Sequence, residues 1–183
     1  MEKMKVPKSL HELMGKETTK FEFMYILGFA IASTLVIAWI ARTELDVLII
    51  WKAIFMIILM IDIFGGVIAN LSYGTNEHYS QSNKRRIIFI SIHVQPLLMM
   101  LISGGHNIPF VIIWIFAVVS AFLINAIREN PAQRVIGLSL SIVGLFMVSQ
   151  FANELPFYII AMLSMYIIKV VFSFPVNHYR KAV

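Results

Sequence analysis

Between Glu22 and Arg42 the chain runs for nineteen residues, Phe23 to Ala41, without one charged side chain. Coiled as an α-helix, such a run is about 28 Å long, close to the thickness of a bilayer's hydrocarbon core. Further apolar runs follow. One covers about Val47 to Leu71 and contains Lys52 and Asp62; the next begins at Ile87 and stops at SGGHNIP, where two glycines and Pro109 break a helix. Phe110 to Ile127 ends before Pro131, and Val135 to Phe151 and Phe157 to Ser173 complete the set. None alternates every second residue as a transmembrane barrel strand does, and a lone strand would leave its backbone unpaired in lipid.

The pattern predicts an all-α, polytopic integral membrane protein of about six transmembrane helices. Residues 1–22 form a cytoplasmic, interfacial amphipathic segment, 23–173 the six-helix domain and 174–183 a short cytoplasmic tail. Ser9 and Glu12 stand at capping-box spacing, which predicts a short helix in the first segment. Composition agrees: 59% of the 183 residues are hydrophobic and 14% charged, against roughly 45–50% and about 25% in soluble domains. The first run is too long for a signal-peptide core, and more spans follow it. With no cysteine in the chain, disulfides, thiolate metal sites and cysteine nucleophiles are excluded.

The net charge of +5 does not point to nucleic acid. Its basic residues flank apolar runs, as anionic lipid and membrane topology require. Lys3, Lys5, Lys8, Lys16, Lys20, Lys84, Arg85, Arg86, Arg128, Arg134, Arg180 and Lys181 fall on one side of a six-span arrangement, and Arg42 alone on the other. The excess of positive charge predicts both termini in the cytoplasm of a cell (plasma or inner) membrane.

Asp62 and His93 stand inside consecutive runs, where ionisable groups are costly and usually mark a functional path. Counted from the cytoplasmic ends of their helices, they lie roughly 13 and 10 Å deep. An Asp–His contact across a cytoplasm-facing cavity is therefore expected, with Asp62 orienting His93 as a proton acceptor. Pro96 adds an expected kink beside the histidine, and Gly65, Gly66 and Ala69 share a helix face with Asp62, allowing close helix approach. Gly74 reads as loop, and Lys169 as a snorkelling interfacial lysine. Asn70, Asn125, Arg86 and Arg128 are the candidate substrate contacts. His78, His93, His178 and Asp62 are the candidate ligands for a divalent metal, with no HExxH or paired-acid motif to organise them. NEHY at 76–79 and NHY at 177–179 form a small sequence echo.

These groups predict a membrane-embedded hydrolase or transferase acting on a lipid-like substrate, although Ser72, Thr75 and Ser91 carry no context that marks a nucleophile. A small-molecule transporter or substrate-binding subunit is the second expectation. Six helices with inward termini are similar in size and topology to the substrate-binding components of energy-coupling vitamin transporters. That resemblance implies a protein partner and a bound small molecule, but those pockets open outwards, whereas the polar groups here lie inwards. A structural, sensory or immunity membrane protein is the third. Membrane lipid is the partner common to all.

Cysteines introduced near Lys84, Gly105 and Asn153 test the topology. We expect external labelling at the last two and none at Lys84; labelling of Lys84 from outside would reverse the orientation.

Overall fold

The computed structural model describes residues 3–7, 11–104 and 107–179. Lys8, Ser9, Gly105, Arg180 and Lys181 lie outside them. The N-terminal segment differs from the expected surface helix. Strands β1 (Lys3–Lys5) and β2 (Glu17–Thr19) pair antiparallel, with Met4 opposite Thr18, around a single helical turn, α1 (His11–Met14). The capping box lies further along the chain. Thr19 Oγ1 accepts the Glu22 amide at 3.1 Å and Glu22 accepts the Thr19 amide at 3.1 Å, which starts α2 (Lys20–Ile40).

After α2 come a short α3 (Arg42–Leu45), then α4 (Ile50–Leu71) and α5 (Tyr73–Ser80). The third apolar run is two helices, α6 (Asn83–Ser91) and α7 (Gln95–Ser103), which together have the length of one span. Pro96 stands in the first turn of α7, where its missing amide donor costs nothing. Gly104, at φ 67°, ends α7 in the left-handed conformation that glycine adopts without strain. Then follow α8 (Asn107–Ala126), α9 (Gln133–Ser149) and α10 (Phe157–Ile167), the last continued by a π-helical turn, Ile168–Ser173.

The fold is therefore all-helical apart from the N-terminal ribbon. Four helices are long and apolar enough to cross a membrane: Lys20–Ile40, Ile50–Leu71, Asn83–Ser103 and Ile108–Ala126. Gln133–Ser149 and Phe157–Ser173 are apolar but shorter. Large apolar side chains cover the outside, Trp39 at 71% and Leu101 at 72% exposure among them. In water such a surface would aggregate; in lipid it is solvated.

Helix α4 is the hub, packing on α2, on α10 and on its π-helical extension. Its buried face carries Met56, Met60, Ile63, Phe64, Gly65 and Gly66. Lipid is as apolar as these side chains, so the contacts depend on close packing rather than on water exclusion. Gly65 supplies it on one side, since a β-carbon there would meet Ala30 of α2 at 3.1 Å.

The described parts of both chain ends lie at the same end of the bundle. Asn76 of α5 donates to the carbonyl of Val176, and the ribbon packs on α5. Gly74, expected in a loop, is instead part of α5, and its Cα faces the backbone of the ribbon. A β-carbon there would come 2.3 Å from the Glu17 carbonyl oxygen and 2.7 Å from that of Met14. Replacing Gly74 with alanine should thus lift the ribbon off α5 and leave the bundle folded. Trypsin should then cut at Lys16 about tenfold faster, because local opening exposes the site, whereas Gly28→Ala, with nothing within 4 Å, should leave the rate unchanged.

Candidate functional site

A carboxylate within a bilayer needs a countercharge or water. Asp62 has the countercharge, though from a residue the sequence reading assigned elsewhere. Its Oδ2 accepts from Lys169 Nζ at 2.9 Å and from Gln95 Nε2 at 3.0 Å. Lys169 therefore does not snorkel to the interface; it is 3% exposed and also reaches the Asp62 carbonyl at 3.3 Å. The direction follows from helix geometry. Side chains lean towards the N-terminus of their helix, and α10 runs towards the end that holds Pro175. Lys169 thus leans deeper into the bundle, away from the surface.

Two local features make room for it. A β-carbon on Gly66 would fall 2.3 Å from Lys169 Cε, so the lysine stem crosses α4 where a side chain is missing. Around Lys169 itself the helix widens, with the Phe174 amide donating to the Lys169 carbonyl at 3.1 Å in the π-helical pattern.

His93 lies in the break between α6 and α7 and is 4% exposed. Its Nδ1–H donates to the Phe89 carbonyl, and its ring lies 4.2 Å from that of Phe89. Its backbone carbonyl, released by the break, accepts the Tyr166 hydroxyl at 2.8 Å. With Nδ1 protonated, the neutral ring carries its lone pair on Nε2, which no described residue engages. The expected Asp62–His93 hydrogen bond is absent among the described residues. What the two share is a cavity of about 430 Å³, also lined by Asn70, Gln95, Lys169 and Arg85.

That cavity lies between α4 and α6. Helix α5 bridges the pair at one end, α4 meets α7 towards the other, and between them the two helices stand apart. Irregular backbone at membrane depth is tolerated where it lines such a cavity, which accounts for the break at Ile92–Val94. Inside it two buried polar atoms have no protein partner: the amide nitrogen of Asn70 and the amide oxygen of Gln95.

The other candidates are engaged elsewhere. Arg86, 1% exposed, donates to Asn125 Oδ1 at 2.5 Å and to the Pro175 carbonyl at 2.7 Å, with its guanidinium over the Phe174 ring. Arg128 donates to the Ser80 carbonyl at 3.1 Å. Gln133 donates to the carbonyls of Ile124 and Pro175, both at 3.0 Å, and Arg134 donates to those of Asn177 and His178. Arg86, Gln133 and Arg134 together form a latch on the C-terminal segment. Of the four candidate substrate contacts, Asn70 alone lines the cavity.

The candidate metal ligands are likewise separate. His78 packs edge-on against Tyr79 on α5, His178 donates to the carbonyls of Phe172 and Ser173, and burial holds the His178 imidazole below its ordinary pKa. Among the described residues no three His, Asp or Glu side chains come together as a metal site. The stretches around NEHY and NHY do meet, through the Asn76–Val176 bond and a Tyr73–Tyr179 ring contact of 5.2 Å. No family model, curated protein or solved structure matches the chain.

Gln95 and Tyr166 carried no sequence signal beyond being polar groups in apolar runs. Lys169 did, because it is a cation inside an apolar run that does not contain Asp62.

The ion pair generates a stability prediction. Lys169→Met strands the carboxylate, whose side chain is 39% exposed towards the cavity, and should cost up to about 3 kcal/mol, the low end of the range for a fully buried pair. Adding Asp62→Asn should recover most of that loss. Thermal unfolding of the detergent-solubilised protein in a double-mutant cycle measures the coupling; additive losses would mean that the pair contributes nothing as a pair.

Proposed function

We propose that the chain crosses a cell membrane six times with both termini in the cytoplasm, and that it binds a lipid-like amphiphile entering sideways between α4 and α6. The observation that carries this reading is the cavity itself. At about 430 Å³ it falls within the range of ligand sites. Ile88, Ile92, Phe89 and Ala69 give it apolar walls, and Asp62, Asn70, His93, Gln95 and Lys169 put polar groups on them. Two of those polar groups carry unsatisfied buried atoms, which cost free energy in an empty apolar site and are satisfied by a polar ligand or water.

Six crossings accord with the packing. Gln133–Ser149 and Phe157–Ser173 are seventeen residues each, at the short end of the spanning range. An even number of crossings returns the chain to the end it started from, where the described parts of both termini lie. The basic residues at that end support its being cytoplasmic.

A hydrolase or transferase acting on the bound molecule is the second reading, and His93 favours it. The Phe89 carbonyl fixes the tautomer so that Nε2 is the basic nitrogen, and the ring lines the same cavity as Asp62 and Lys169. In this role His93 accepts a proton without Asp62 as its orienting partner.

Protein purified in a mild detergent should retain lipid that native mass spectrometry detects. Ile88 is 50% exposed and lines the cavity, so Ile88→Trp should fill the opening and lower lipid occupancy about tenfold, the equivalent of about 1.4 kcal/mol, at unchanged yield. Equal occupancy in the variant would place the lipid elsewhere. His93→Gln should keep the lipid and, if the second reading holds, abolish any conversion of it.

A further inference from the structure

The polar groups of the cavity are sorted by depth. Asn70 is the penultimate residue of α4 and Arg85 stands in the first turn of α6, so both belong to the membrane-surface end. Asp62 lies eight residues, about 12 Å, further in. The surface end offers donors. The Asn70 amide nitrogen is buried without a partner in a residue 4% exposed, and the Arg85 side chain is exposed at the mouth of the cavity. The deep end offers acceptors: the Gln95 amide oxygen without a partner, Asp62 Oδ1, and His93 Nε2.

Charge follows the same division. Asp62 and Lys169 compensate each other at the deep end, and Arg85 has no counterpart in the lining. Moreover, the first turn of α6 carries Lys84, Arg85 and Arg86 with no acidic residue. Cations are unfavourable there, because the N-terminus of a helix already bears partial positive charge. An anion at the mouth relieves both. Arg86 is turned inward to Asn125 and Pro175, which leaves Arg85 as the cation that faces the cavity.

We infer that the ligand is an amphiphile with an anionic head, phosphate or carboxylate, at Arg85 and Asn70, and a hydroxyl or amide N–H about 12 Å down its chain, donated to the Asp62–Gln95 end. This inference rests on the cavity being a lipid-like site and adds the chemistry of its ligand. A hydroxyl at that depth finds acceptors already oriented, since Lys169 and Gln95 hold the carboxylate through Oδ2 and leave Oδ1 open.

The test uses thermal unfolding of the full chain in dodecyl maltoside with four probes. These are 10-hydroxyoctadecanoate, whose carboxylate and hydroxyl have the required separation, octadecanoate, methyl 10-hydroxyoctadecanoate, and acetate as a free anion. We expect the hydroxy acid to raise Tm by about 5 °C at saturation, octadecanoate to give roughly half that shift, and the methyl ester and acetate to do little. Arg85→Gln should reduce the hydroxy-acid shift to that of the methyl ester, while Lys84→Gln, outside the lining, should keep it. A methyl ester as effective as the acid, or Lys84→Gln as damaging as Arg85→Gln, overturns the anionic head. Equal shifts from octadecanoate and its hydroxy derivative overturn the deep donor. If every amphiphile stabilises the wild type alike but not Ile88→Trp, the lipid-like site stands and the inference falls. If acetate alone produces the full shift, an anion site stands and the lipid-like reading falls.

Discussion

The pairing of Asp62 with Lys169 governs the arrangement of the helices around it. A carboxylate and an ammonium at membrane depth each cost several kcal/mol if left alone, so α4 and the end of α10 must meet with these two groups in register. The glycine at 66 and the π-helical turn around Lys169 follow from that demand, one clearing a path for the lysine stem and the other setting its position along the helix. Gln95 then joins the same carboxylate oxygen, which ties the start of α7 to the pair. The position of the break in the third span is thus linked to the ion pair as well as to Pro96.

At the end of the bundle that holds the described parts of both termini the problem is solved differently. Arg86 is almost fully buried, and its observed hydrogen bonds run to neutral oxygens, a side-chain amide and a backbone carbonyl. Those oxygens lie at the C-terminal ends of α8 and of the π-helical extension of α10, where helix dipoles gather partial negative charge. Gln133 and Arg134 draw on carbonyls of the same C-terminal stretch. The basic residues that the topology argument treats as markers of sidedness therefore also hold the chain end in place.

Much of this architecture was legible in the amino-acid sequence, for reasons that can be named. Uncharged runs of bilayer length with breakers between them leave helices as the workable solution, and the boundaries at Arg42, Gly104 and Pro131 agree with the structure. Asp62 and His93 were found because polar groups stand out against an apolar background. Their partners were not found, because a single sequence favours neighbours along the chain. Consecutive helices suggested an Asp–His contact, whereas the countercharge came from a helix 107 residues away. The short distance of Lys169 from the end of its run points it outward, a measure that ignores the lean of helical side chains. The N-terminal ribbon was missed for a different reason: three-residue strands closing on each other leave almost no periodicity to read. Arg86, Asn125 and Arg128 were grouped with the site by depth alone, and depth does not specify which way a side chain turns.

The latch and the ion pair also constrain how this protein is made. Asp62 and Arg86 leave the ribosome early, yet the lysine that neutralises one and the carbonyl that receives the other come from the π-helical end of α10 and the segment after it, 107 and 89 residues later. At ordinary synthesis rates of about 5–20 residues per second, that is a wait of several seconds or more. During that interval any helices already inserted in a bilayer carry an unmatched acid and an unmatched base. They can be held near the insertion machinery or near water, but they cannot settle into their final packing. Completion of the chain is therefore what releases the bundle to close. A chain cut short before Lys169 exposes in the membrane the kind of unsatisfied charge by which an unfinished protein can be told from a finished one.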